Sequence, residues 1–167
     1  STPALLAYQK RQGVELTVEG ERRAVEVIRH HRLIESYLHS ELGYGWDEVH
    51  EEAEKLEHFI SEDLEDRMAA KLGYPEFDPH GHPIPRKDGS IPVCRDVALR
   101  QTLAGTRVTL SRVADEDPIL LRQLSDWGLA INGIVDILDH EPGDGPTWIR
   151  AAGRSRCASA PSPSPSW

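Results

Sequence analysis

The sequence predicts a mainly α protein with a small β part. Three observations carry this expectation. Apolar residues recur at helical spacing through most of residues 18–72. Two short extended runs around a glycine-containing tip precede that region. Beyond a Pro- and Gly-rich stretch, short strand-like runs return around a single helical segment, the pattern of a small β-barrel.

Taken in order, Leu5–Tyr8 and Val14–Val18 read as a hairpin with the basic tip Gln9-Lys10-Arg11-Gln12-Gly13. Thr17 is placed to cap a helix, with Glu19 and Glu21 in its first turn. Ala24, Val27, Ile28, Ile34 and Leu38 form its apolar stripe, and Gly43 and Gly45 end it. Asp47 is expected to cap a second, unbroken helix. Its stripe of Val49, Ala53, Leu56, Ile60, Leu64, Met68 and Leu72 runs for roughly seven turns before Gly73 and Pro75. A seam of that length calls for a partner helix.

Residues 74–96 read as an irregular linker. Val108–Val113 and Ile134–Leu138 read as strands, with a short helix from Asp117-Pro118 through Leu124 that ends near Gly128. The strand pattern stops near Arg150. The remainder, rich in Ala, Ser, Pro and Arg, reads as a disordered tail.

Composition narrows the function. A formal charge of -9 argues against a protein that coats nucleic acid, because that affinity comes from neutralising phosphates. Residues 41–78 carry most of the net negative charge, whereas 1–40 are nearly balanced. Cys94 and Cys157 are too few and too far apart for a secreted disulfide scaffold. No apolar run approaches the ~20 residues of a membrane span, and no signal-peptide pattern opens the chain. A cytoplasmic protein without membrane attachment is expected.

The chemistry lies on the two long helical segments. Residues four apart share a helix face, which pairs His31 with Glu35, His50 with Glu54, and Glu54 with His58, with Glu57 alongside. The plainer alternatives are a core histidine with a salt-bridged glutamate, and a solvated acidic face. Imidazoles and carboxylates without thiolate suit manganese, ferrous iron, zinc or cobalt. The absence of a Glu-x-x-His pair argues against a carboxylate-bridged di-iron oxidase. His80-Gly81-His82 has the His-x-His pattern that can bind metal, but in a Pro/Gly turn it reads as ordinary loop chemistry, and Asp115-Glu116-Asp117 before Pro118 reads as helix-capping acid. No phosphate loop, nucleophile elbow or zinc-finger cysteine pattern is present, and no enzymatic activity is expected.

The run RHHRLIESYLHSELGYGWDEVHEEAEKLEHFISEDLEDRM, followed by DPHGHPIP, resembles the diphtheria-toxin-repressor and manganese-repressor family of metal-dependent transcriptional regulators. The resemblance implies a winged helix-turn-helix, a helical metal-binding and dimerisation domain and an SH3-like barrel. On this chain it implies a wing remnant at 1–18, the helical domain at 19–76, a linker at 77–96, a partial SH3-like (FeoA-like) barrel at 97–150 and a disordered tail at 151–167.

It also implies ligand sets: His31, Glu35 and His50 for one site, and Glu54, Glu57 and His58 for a second. Iron-type members carry Cys where this chain has Glu54. The oxygen ligand therefore favours Mn2+ over Fe2+, with Zn2+ or Co2+ as substitutes. Asp117, or Glu116, falls where the barrel of some members reaches back to the metal.

The partners implied are a second copy of the chain and, for a complete protein, operator DNA. LLAYQKRQGVELT resembles the strands of the wing, and the DNA-reading helix would precede it. Lys10 and Arg11 would touch phosphates only, so weak or absent operator binding is expected from this chain. The rival readings are a truncated metal-binding module without regulatory activity and a helical metalloenzyme.

Overall fold

The computed structural model describes residues 5–9, 13–143, 145–151 and 154–158, and divides into two compact units at Cys94–Arg95. It is mainly α with a small β part, as predicted. Unit one opens with a hairpin of β1 (Leu6–Gln9) and β2 (Gly13–Leu16), in register from Leu6 opposite Leu16 to Gln9 opposite Gly13. Its basic tip, Lys10 and Arg11, lies outside the described residues.

Helix α1 (Val18–Leu42) follows at once. Thr17 caps it, its hydroxyl accepting from Gly20 N at 3.0 Å. Gly20 itself is required by crowding, since a Cβ there would stand 2.1 Å from the Leu5 carbonyl oxygen. Gly43, at φ 75°, ends the helix in the left-handed conformation that glycine adopts without strain.

The second expected helix is two. Helix α2 (Val49–Leu56) and helix α3 (Glu62–Lys71) are separated by a turn at residues 57–61. The expectation of one continuous helix is corrected, and the cause is local. Ser61 is extended at ψ 157° and its hydroxyl accepts from Leu64 N at 3.3 Å, with Glu62, Asp63 and Glu65 in the new first turn. Asp47 is not the cap of α2 either; that position falls to Glu48.

Ile34 and Leu38 of α1 pack on Val49 and Ala53 of α2 and Met68 of α3. Each fully buried Leu or Ile contributes roughly 1.5–3 kcal/mol. A second apolar cluster joins Leu33 and Ala69 to Ile84, which belongs to the stretch read as a linker. Residues 77–85 therefore fold onto α1 and α3, with Asp78, His80, Ile84 and Pro85 buried. Irregular backbone was foreseen there; burial was not.

Unit two is an antiparallel sheet in the order β3 (Arg107–Thr109), β4 (Ile134–His140), β5 (Thr147–Ala151) and β6 (Arg154–Ala158). Helix α4 (Pro118–Asp126) lies between β3 and β4 in sequence. Along β5, Thr147, Ile149 and Ala151 are buried and alternate with exposed neighbours, the period-two pattern of a half-buried strand. Ile149 and Ala151 meet Val135, Ile137 and Leu129 in the core. Strand β6 corrects the expectation that disorder begins at residue 151, because Trp148 pairs with Cys157 and Arg150 with Ser155.

Candidate metal centre

Three segments of unit one bring four ligand-type side chains together. Helix α1 supplies His31 and Glu35, one turn apart on its buried face. Helix α2 supplies His50, and the 78–82 turn supplies His80. Glu35 is wholly buried and stands at the middle. Its Oε1 lies 3.0 Å from His31 Nε2 and 3.2 Å from His50 Nδ1, and those two nitrogens are 3.1 Å apart. Its other oxygen, Oε2, lies 3.7 Å from His80 Nδ1, and neither atom has a hydrogen-bond partner.

The outer bonds decide which nitrogens face inward. His31 donates Nδ1–H to Glu57 Oε2 at 2.7 Å, since a carboxylate only accepts. His80 donates Nε2–H to the Trp46 carbonyl at 2.6 Å. In their neutral forms both rings then turn a lone pair, His31 Nε2 and His80 Nδ1, toward the same carboxylate. Lone pairs and anionic oxygens held this close demand a cation, either a proton or a metal ion.

In the metal-free protein protons answer that demand. Burial works to lower the His31 pKa, but hydrogen bonds and charge from Glu35 and Glu57 outweigh it and raise it to about 9. Burial works to raise the Glu35 carboxyl, but His31 and His80 hold it well below the usual carboxylate range. Burial also opposes protonation of His80, and Glu35 and the Trp46 carbonyl reverse it, so its pKa is raised too.

The donor set fits a divalent ion. It is nitrogen and oxygen without thiolate, the preference of a borderline-to-hard cation. The triangle of His31 Nε2, His50 Nδ1 and Glu35 Oε1 matches the spacing of about 3 Å between neighbouring corners of an octahedral shell with bonds of about 2.1 Å. The partnerless Glu35 Oε2 and His80 Nδ1 are additional donors that the protein itself leaves unused.

Of the residues expected from sequence, His31, Glu35 and His50 form one cluster of converging donors. Glu54, Glu57 and His58 do not form a second among the described residues. The helix break explains this. Glu57 is the C-cap just past α2 and His58 lies beyond it, so Glu54 and His58 no longer share a helical stripe. Glu54 is 63% exposed, its Oε1 3.7 Å from His50 Nε2, and His58 is 61% exposed, its Nε2 3.2 Å from Glu57 Oε1. Glu57 thus touches both His31 and His58. Asp117 caps α4, as its place before Pro118 suggests, its Oδ1 accepting from Ile119 N at 2.9 Å and Leu120 N at 3.1 Å.

His80, whose pattern with His82 reads as loop chemistry in the sequence, is the ligand-type residue that the structure adds beside Glu35. Its signal was present in Asp78-Pro79-His80-Gly81-His82, but a turn of that composition does not reveal which helix it folds against.

Both units are similar to known proteins. Residues 17–86 match the family described as "Iron dependent repressor, metal binding and dimerisation domain", and residues 97–158 match the FeoA domain. The chain is 34% identical over 145 residues to the "Iron-dependent repressor IdeR" of Mycobacterium leprae, covering 80% of this chain and 63% of that protein. It thus spans less than two thirds of that relative's length. It is 42% identical over 72 residues to a "Probable metal transport system membrane protein" of Chlamydia trachomatis, covering 43% of this chain and 16% of that protein. Among solved structures, a "Manganese-dependent transcriptional repressor complex with manganese" superposes with a TM-score of 0.83 at 38% identity, over 93% of this chain and 72% of that one.

Proposed function

The chain belongs to the diphtheria-toxin-repressor and manganese-repressor family of metal-dependent transcriptional repressors, and from that premise we propose that it is the manganese-sensing, dimerising part of such a regulator. One observation carries the reading. His31, Glu35, His50 and His80 converge from α1, α2 and the 78–82 turn on a single buried carboxylate, with only nitrogen and oxygen donors.

A bound divalent ion would supply the positive charge that otherwise comes from protons on the imidazoles. His31, Glu35, His50 and His80 would hold it, and Glu57 would keep the His31 tautomer that leaves Nε2 free. These residues meet only when α1, α2 and the 78–82 turn are in register. Occupancy of the site and order of the domain are therefore linked, and any surface whose shape depends on that order is linked with them. Glu54, Glu57 and His58 are retained as a second set, shared through Glu57, which needs side-chain rotation of the exposed Glu54 and His58. Glu54 in place of a thiolate favours manganese over iron.

The dimer surface proposed is the apolar groove of ≈ 450 Å³ lined by Tyr37, Leu42, Leu56, Ile60, Leu64 and Met68. In a protein that also carries a DNA-reading domain, ordering of this unit would raise operator affinity. No helix of the described residues is long and apolar enough to cross a membrane.

Calorimetric titration with manganese tests the reading. Glu35→Gln should abolish tight binding, and Glu54→Ala and His58→Ala should each weaken it. Parent-like affinity in Glu35→Gln would remove the basis for the assignment. A second reading, a sensor module whose output is not DNA binding, is favoured by the 72-residue match to a metal transport system membrane protein. Manganese-dependent, sequence-specific DNA binding by this chain would refute that second reading.

A further inference from the structure

The turn that carries His80 has little backbone hydrogen bonding of its own to fix it against α1. Pro79, Pro83 and Pro85 have no N–H to donate. Asp78 organises the turn from within, its Oδ1 accepting from His80 N at 2.8 Å and His82 N at 2.9 Å. Beside the apolar contact of Ile84 with Leu33, polar attachment to α1 comes from arginine. Arg32 donates to the Pro83 carbonyl at 2.6 Å, and Arg29 donates to the Pro85 carbonyl at 2.7 Å.

Arg32 does a second thing. Its Nε lies 3.8 Å from Asp78 Oδ2, an oxygen that is buried and has no hydrogen-bond partner. A wholly buried carboxylate is costly unless positive charge stands near it. Arg32 therefore supplies permanent charge near Asp78, whose Oδ2 also lies 3.5 Å from His82 Nδ1, and the donor that pins the segment after His80. It does so from the residue beside His31, three before Glu35, on the same rigid helix. We propose that Arg32 is the positioning residue that seats His80 Nδ1 against Glu35. Arg29 is the poorer probe because its guanidinium also bonds Glu65 of α3, so its loss would loosen α3 as well.

The inference rests on His80 as a ligand, and two readouts separate the claims. The first uses the metal-free chain. The His80 Nε2–H, bonded to the Trp46 carbonyl, should give an exchange-protected imidazole proton resonance, assigned by its disappearance in His80→Ala. Arg32→Gln should lose that resonance and Arg32→Lys should keep part of it, with helical circular dichroism unchanged in both. The second is manganese affinity. Arg32→Gln should lower it about tenfold, the usual cost of losing an outer partner of a ligand, and by less than about twofold when His80 is already alanine. A persistent resonance in Arg32→Gln, or an equal loss of affinity in both backgrounds, would overturn the proposal. Parent-like manganese binding by His80→Ala would instead discard His80 as a ligand, while the resonance still decides whether Arg32 seats it.

Discussion

His31 donates its Nδ1–H to Glu57 Oε2 across 2.7 Å, and that bond settles which side of the imidazole is left for a cation. The pair joins the helix that carries Glu35 to the end of the helix that carries His50. Replacing Glu57 by Gln keeps an acceptor but removes its charge, so the His31 ring becomes a weaker donor to a metal. Manganese affinity of Glu57→Gln, measured by calorimetry, should fall by about 10–100-fold. An unchanged affinity would mean that Glu57 has no part in the site.

The protonation of His31 sets a pH dependence with a definite sign. Its folded pKa is raised to about 9 from 6.5, so its contribution to the metal-free fold is complete below 6.5 and is lost as pH rises through about 9. Glu35 is shifted down, so its contribution is present above 4.5 and is lost as pH falls toward its depressed folded value. The urea midpoint in chelator should therefore be highest between these limits and decline toward pH 9. Manganese binding should show the opposite trend on that side, strengthening up to about pH 9 with release of a proton. Calorimetry in buffers of different ionisation enthalpy measures that proton directly.

Glu35 is the hub of the buried network, and its neighbours are built around its charge. Glu35→Ala should destabilise the metal-free chain by about 3–5 kcal/mol, the cost of breaking a buried ion pair from one side. Urea denaturation checks this. A loss below about 1 kcal/mol would mean that water enters and solvates the histidines in its place.

Ser61 distinguishes two helices from one. In a continuous helix, Ser61→Ala would be neutral or slightly stabilising, because alanine is the better helix former. With Ser61 as the cap of α3 it should cost about 1 kcal/mol. Thermal or urea unfolding reads the sign.

The apolar groove predicts self-association. Leu64 is 45% exposed on it and sits on the outer face of α3. Leu64→Lys should leave circular dichroism intact and convert a dimer to a monomer in sedimentation velocity. A dimer that survives the substitution would place the interface elsewhere.

What the sequence revealed and what it hid follow one rule. Features set by neighbours in sequence were legible. The Thr17 cap, the Gly43 stop, the stripe of Ile34 and Leu38 and the His31–Glu35 pair all depend on residues within one or two turns. The break at Ser61 is local as well, yet it was masked: neither Gly nor Pro marks it, and the apolar spacing of Leu56, Ile60 and Leu64 continues across the turn. Features set by distant packing were not legible. His80 reaches Glu35 because Arg29, Arg32 and Leu33 hold the 78–85 segment, and nothing within that segment specifies them. Strand β6 carries Arg, Ser, Cys and Ala rather than β-branched residues. Its conformation comes from pairing with β5, which composition does not display.

Anomalous diffraction from a crystal of this chain grown with manganese would locate the ion relative to Glu35. An anomalous peak bonded at about 2.0–2.3 Å to His31 Nε2, Glu35 and His50 Nδ1, with His80 Nδ1 in the same shell, is expected. Full manganese occupancy elsewhere, with His31, Glu35 and His50 still joined only by hydrogen bonds, would contradict it.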